Sequence, residues 1–401
     1  MKIKSWTFVM ILLFAALSTI YMPYFEAAYA ADNKEEEIKD NMNKEIDRRL
    51  NELDLSEFEI FFQRLEDENL KGVWQSLKDI IKGIINNEQK FTIQTLIQIV
   101  LNVFLKEMVK SLPSIITIII IAILFGVFNG LSSGFAKDST RNIIYIVCYG
   151  AIISILSYII ASSLITVKKT VDMLDNLMSL SFPILLTLTS ALGGVNSAGI
   201  YQPVMTVMTT MMIKIINIMV IPLFIATVVF GMVGNLSSSI KLDKLTKTTK
   251  SLSEWTLGIV FSIFIGYITV QGIAGAAFDT VSIKSAKFAL SSYVPILGGY
   301  LSEGFDLVLA SCVIIKNALG LCSIILLFFI IAAPIIKLLV SVFALRIAAS
   351  IIEPMSDEKI SDMLFSTSKN LITLISILLG VSFLFFVIIM LIIATCNFGV
   401  I

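Results

Sequence analysis

Uncharged stretches long enough to cross a hydrocarbon core of ~30 Å recur along the chain at about 112–131, 143–165, 204–231, 256–277, 317–339 and 371–394. Lys214 interrupts the third of them and Lys337 lies late in the fifth. The pattern predicts an all-α fold, a polytopic integral membrane helical bundle of about six spans. Two further apolar pieces fit no simple span. One runs from Leu177 to Gly194 with Pro183 near its start and Gly193-Gly194 at its end; the other runs from Ser291 to Cys312 and contains Pro295, Gly298, Gly299, Glu303 and Asp306. Proline and paired glycines interrupt helical hydrogen bonding, so both pieces are predicted to be broken or re-entrant helices.

The first thirty residues follow a different rule. Lys2 and Lys4 precede an uncharged run to about Ile20, and Ala28-Tyr29-Ala30 places small residues where a signal peptidase reads them. This is the layout of a signal peptide, 1–30, cleaved after Ala30. An uncleaved first helix is the alternative, and either reading starts the mature chain on the extracytoplasmic side. Residues 31–110 hold 12 basic and 17 acidic side chains, 29 of the 60 charges in the chain. Phe58, Phe61, Phe62 and Leu65, then Trp74, Leu77, Ile81, Ile84 and Ile85, recur at helical spacing. The region therefore reads as charged, extracytoplasmic and built of short amphipathic helices. From Phe91 onward Gln94, Gln98, Asn102, Lys106 and Lys110 form a single polar stripe, which suits a helix lying on the membrane or packed against the bundle. The multi-span domain follows from 111 to 401.

Charge in the connections sets orientation, because short cytoplasmic loops carry excess Lys and Arg. With six spans and an external mature N-terminus, the inner side holds Lys137, Arg141, Lys241, Lys244, Lys247, Lys250, Arg346, Lys359 and Lys369, against Lys168, Lys169, Lys284, Lys287 and Lys316 outside. If both broken pieces cross, giving eight spans, the count is seven against seven. The six-span arrangement fits better and leaves the C-terminus outside. An offset of 112 residues carries Pro183 onto Pro295 and Pro222 onto Pro334, and Phe-Pro-Ile-Leu at 182–185 echoes Val-Pro-Ile-Leu at 294–297. A parallel repeat, 143–254 and 255–366, would follow a plan used by transport proteins with discontinuous helices; chance matching of prolines in an apolar chain is the alternative.

Composition narrows the chemistry. Of 401 residues 57% are hydrophobic and none is histidine, and the mean hydropathy is +0.90. The commonest general base and metal ligand is missing. Cys148, Cys312, Cys322 and Cys396 sit singly in apolar stretches, unlike the closely spaced thiolates of a zinc site. No phosphate-binding loop and no intramembrane protease motif is present, and the acidic N-terminal region lacks the basic footprint that nucleic acid requires. An enzyme is not expected, nor a cofactor. What remains are ionisable residues at membrane depth, Lys214, Asp306, Lys316 and Lys337, which are costly in hydrocarbon and point to a functional site or a buried pair. Lys337 can instead snorkel to the interface. Lys214 is expected to face the interior of the bundle, with Asp306 as a potential partner, unless the span begins only at Ile215.

The C-terminal half also carries a specific resemblance. Thr269-Val270-Gln271-Gly272 with Ala276-Ala277, then Ser285-Ala286-Lys287-Phe288, Val294-Pro295-Ile296-Leu297-Gly298-Gly299 and Ile315-Lys316-Asn317 are similar to the stage III sporulation protein AE family of endospore-forming Firmicutes. Pro183-Ile184-Leu185-Leu186 and the signal peptide with its charged sequel also fit. The resemblance implies a subunit of the channel or secretion complex between mother cell and forespore, in the mother-cell membrane surrounding the forespore. Its implied partners are the other stage III A sporulation proteins and, directly or indirectly, stage II sporulation protein Q. A stand-alone secondary transporter with broken-helix repeats is the alternative that the residues alone leave open.

Overall fold

The computed structural model describes residues 44–50, 52–53, 56, 60–61, 93–132, 138–236, 242–293, 298–355 and 358–396. The expected signal peptide and most of 31–110 lie outside these residues. After a short helical stretch at 44–50, the described chain folds as α1 (Ile93–Ser132), α2 (Asp138–Ala191), α3 (Val195–Ile215), a π-helical turn (Ile216–Val220), α4 (Ile221–Leu236), α5 (Asp243–Tyr293), α6 (Gly298–Ile352) and α7 (Glu358–Ala394). No strand occurs among the described residues, and each of the six uncharged runs falls within helix. Five stretches, on α1, α2, the α3–α4 limb, α6 and α7, are long and apolar enough to cross a membrane. The sixth run lies on α5. The protein is an all-α membrane bundle.

Three observations refine the sequence reading. The polar stripe that begins near Phe91 and the first span belong to one helix, since α1 runs through residue 110 without a break. Pro183, expected to mark a helix break, lies inside α2. A proline removes one backbone donor and tilts the helix without having to end it; Pro183 and Ser179, whose carbonyl loses that donor, both lie on the exposed face of α2. The break falls ten residues later, where Gly193 adopts φ 87°, a left-handed conformation that glycine enters without penalty. Gly193 N–H donates to Ser190 O and Gly194 N–H to Thr189 O, closing α2 before α3 descends. In the second apolar piece Gly298 and Gly299 open α6, while Pro295 lies outside the described residues.

α7 forms the axis, since no position between 370 and 393 is exposed. Around it pack α6, α2, α4 and α5, with α1 against α6 and α2. Close approach is built with glycine: a Cβ on Gly380 would lie 2.1 Å from Cζ of Phe261, and one on Gly320 would lie 2.4 Å from Cδ1 of Ile393. Small residues at such crossings let helices meet along their backbones. Polar ties add to this packing. Tyr149 donates to the Met232 carbonyl at 2.6 Å, and Ser361 to the Ala349 carbonyl at 3.0 Å.

The helices are much longer than a bilayer is thick. α2 has 54 residues, about 80 Å at 1.5 Å per residue, against a hydrocarbon core of ~30 Å. Its exposed face changes character along that length. Between 143 and 165 the exposed side chains are Ile143, Ile146, Val147, Ala151, Ser154, Ser157, Tyr158, Ala161 and Ile165; from 168 they are Lys168, Lys169, Asp172, Asn176, Ser179, Pro183 and Thr187. On α5 the change runs the other way: Asp243, Lys244 and Lys247 are exposed at its start, and Trp255, Ile259, Ile263 and Val270 further on.

Candidate functional site

The ionisable residues expected at membrane depth do not gather at one place. Lys316, on α6, is 0% exposed, and its Nζ donates to the carbonyl of Thr395 at the end of α7. The last carbonyls of a helix have no intrahelical donor and carry the negative end of the helix dipole. A lysine delivered from a neighbouring helix answers both needs. The backbone then turns at Cys396 with φ 61°. Leu192, Cys312, Val313 and Cys396 form a small buried cluster at this end. Gly194 fits beneath it: a Cβ there would lie 2.5 Å from Cys396 Sγ and 2.9 Å from the Thr189 carbonyl oxygen. The structure thus brings Gly193, Gly194 and Lys316 together around the tip of α7.

The short N-terminal helical stretch adds charge beside this end. Arg49 Nε donates to Glu45 at 2.9 Å and its Nη1 to Glu52 at 3.1 Å. That hydrogen bond with Glu45, with both carboxylates nearby, holds the guanidinium above its ordinary value against the opposing effect of burial. The charges of Arg49, Glu45 and Glu52 reach Cys312, and Ile46 and Leu50 are buried in the main core.

Lys337 lies half-buried further down α6. Its Nζ donates to Thr166 Oγ1 at 2.8 Å and to Ser162 Oγ at 3.2 Å on α2. Glu107 and Lys110 of α1, themselves paired at 2.8 Å, are close enough for their charges to act on it. Lys337 is a tie between helices, with two hydroxyls taking the place of water.

Lys214 corrects the expectation most clearly. It occupies the last turn of α3, just before the π turn, and its side chain is exposed on the perimeter instead of turned into the interior. The pairing with Asp306 has no support in position. Lys214 stands five residues from Met219, which accepts a contact from Thr256 of α5 at 4.0 Å; five residues along α5 is Phe261, against Gly380 of α7. That height is also the height of Lys337, since Arg346 meets Ser368 at 3.4 Å and nine residues up each helix give Lys337 and Ile377. Asp306, in the first turns of α6, lies 31 residues above Lys337, about 45 Å along the helix.

Sequence reading missed one group. Arg346 and Lys369 approach the same Phe365 ring, at 5.8 and 4.4 Å from its centroid, and Lys369 acts electrostatically on Lys250. Burial lowers the Lys250 ammonium from its ordinary value, with Glu254 opposing the shift; burial raises the Glu254 carboxyl, with Lys250 opposing. These lysines and Arg346 entered the sequence reading only as topological counts; the shared aromatic face is visible only once α5, α6 and α7 are placed. Among the described residues, no group of three or more His, Cys, Asp or Glu side chains could hold a metal ion.

No solved structure matches the chain. The sequence family described as stage III sporulation protein AE matches residues 75–396. The chain is also similar to the stage III sporulation protein AE of Bacillus subtilis (strain 168), with 26% identity over 265 residues, covering 66% of each chain. That alignment spans just under two thirds of the relative's length. With most of its length matched by the family, from ahead of α1 to the tip of α7, the chain belongs to the stage III sporulation protein AE family.

Proposed function

We propose that this protein is the polytopic subunit of the channel or secretion complex between mother cell and forespore, needed for endospore development and seated in the mother-cell membrane around the forespore. It acts there without catalysis, as a membrane bundle on which other stage III A proteins assemble, with stage II sporulation protein Q engaged directly or indirectly from the forespore side. Family membership supports the sporulation role. One structural observation favours a subunit over a stand-alone transporter: the axis of the bundle is filled by α7, while Lys214 and the polar residues of the α2–α3 hairpin are exposed on its perimeter. A transporter with broken-helix repeats places its polar groups at the midplane between repeats. Here Lys214 and the hairpin's polar residues face outward, where partners can meet them, while the inward lysines Lys316 and Lys337 are engaged by the end of α7 and by hydroxyls of α2.

The test is purification of the tagged full-length protein from sporulating cells, with mass spectrometry of what accompanies it. Recovery of other stage III A proteins is the expected result. Recovery of the protein alone, with binding of a small solute, would establish the transporter instead.

A further inference from the structure

On one side of the bundle three neighbouring helices place exposed lysines at the upper end of a long exposed apolar face, and on α2 the face turns polar beyond them, independently of the assembly role proposed above. On α2 the exposed apolar face from Ile143 to Ile165 ends at Lys168 and Lys169. On the α3–α4 limb exposed Ile218, Met219, Pro222, Ile225, Val229 and Val233 lie below Lys214, with Met211 and Val207 exposed above it. On α1 exposed Leu112, Ile116, Ile120, Leu124, Val127 and Phe128 lie below Lys110 and Lys106, with Val109, Met108, Leu105 and Leu101 exposed among and beyond those lysines. α2 packs against both α1 and α3. The lysines stand at one height, because Thr166, next to Lys168, holds Lys337, which feels Glu107 and Lys110 and lies level with Lys214 through Phe261 and Gly380.

We propose that on this side of the bundle the bilayer ends at these lysines, whose ammonium groups take the phosphates of lipid headgroups, and that the α2–α3 hairpin beyond them stands in water. The dimensions fit. From Ile143 to Ile165 is about 33 Å of helix, close to the ~30 Å hydrocarbon core. Above it α2 exposes Asp172, Asn176, Ser179 and Thr187, and α3 exposes Thr210, Thr206, Gln202 and Asn196 with Met211, Val207 and Val195 between them. Lipid would desolvate the Asp172 carboxylate and the Asn176, Gln202 and Asn196 amides at high cost; water does not. Lysine suits the boundary because its alkyl stem stays with the acyl chains while the ammonium reaches the headgroups, and each such contact with anionic lipid adds to surface affinity. The hairpin beyond reaches about 35 Å from Lys168 to Ala191. Its tip is where Gly193, Gly194, Cys396 and Lys316 meet, so that cluster lies clear of the membrane.

Two measurements on the full-length protein test this. Single cysteines replace Ser157, Ala161, Asn176, Ser179, Thr187 and Thr206 in a Cys148→Ser background that keeps the buried Cys312, Cys322 and Cys396. They are reacted with a charged maleimide in unsealed membranes, so that both faces are open to the reagent. Because the thiolate is the reacting species and forms only in contact with water, positions 176, 179, 187 and 206 are expected to label about tenfold faster than 157 and 161. Equal protection at all six would overturn the proposal. The same sites are then labelled with a fluorophore and reconstituted in vesicles of acyl-brominated phosphatidylglycerol. Quenching at 157 and 161 with none at 179 and 187 is expected; quenching at 179 and 187 would place the hairpin in lipid and also overturn it. For the headgroup contact, Lys168→Glu with Lys169→Glu is expected to lower the phosphatidylglycerol retained through detergent purification severalfold. Unchanged retention would remove that contact.

Discussion

α2 and α7 are both long, largely uncharged helices, yet they sit in opposite surroundings. α7 is enclosed on every side from 370 to 393, whereas α2 exposes an apolar face below Lys168 and a polar one above it. Lipid tails are as apolar as leucine, so hydrophobicity does not sort helices between the centre and the edge of a membrane bundle; shape does. α7 earns its central place through close contacts such as Gly380 on Phe261 and Gly320 on Ile393. Gly150, on the exposed face of α2, has nothing within 4 Å of the position its Cβ would take. The axis is specified by fit and the perimeter by what the solvent tolerates.

That comparison is open to attack by mutation, starting where the effect is largest. Gly380→Leu should destabilise the bundle by about 3 kcal/mol or more, because the side chain enters space held by a ring and not by a mobile chain end. Membrane abundance and thermal unfolding in detergent measure it, and Phe261→Ala should recover part of the loss. Gly150→Leu on α2 is the matched control, expected within ~0.5 kcal/mol of the parent. Equal losses at the two glycines would break the distinction between axis and perimeter.

Smaller effects separate the lysines. Lys316→Met leaves the Thr395 carbonyl buried without its Nζ donor, a cost of about 1–3 kcal/mol, and should speed hydrogen exchange in the last turn of α7. Lys337→Met gives up two neutral acceptors in a half-buried place and is expected to cost about 1 kcal/mol, read from the same unfolding curve. Lys214→Leu should shift stability by no more than ~0.5 kcal/mol, with membrane abundance unchanged. A loss at Lys214 as large as that at Lys316 would show that its side chain is held inside after all.

The helices were legible because each of the six uncharged runs is long enough to cross a bilayer, and helix is the form that satisfies its own backbone there; five of the stretches are long and apolar enough to cross. The helix break was legible in part. Paired glycines at 193–194 announced it correctly because φ 87° is open to glycine, while Pro183 did not, because one missing donor on the exposed face of α2 bends a helix without ending it. Lys214 was misread for a reason of pattern. A lysine within an uninterrupted apolar run looks buried, but the run covers two helices joined by a π turn, and the lysine sits at the joint. The partners of Lys316 and Lys337 were out of reach altogether: Thr395, Ser162 and Thr166 are ordinary small residues 79 to 175 positions distant, and only the crossing of helices makes them acceptors.

The π turn itself has a consequence for heredity of shape. Ile221 N–H reaches back to Ile216 O, five residues away instead of four, so the limb contains one residue more than a regular helix of that rise. One residue is about 100° of rotation. The insertion therefore works as a fixed gear between α3 and α4, setting which direction Thr206 and Lys214 look relative to Ile225 and Val229. Deleting Asn217 would leave every other residue of the chain unchanged and still turn the upper limb by more than a quarter of a circle. In this protein, length at that point is information, and an insertion or deletion there rewrites the surface more thoroughly than most substitutions.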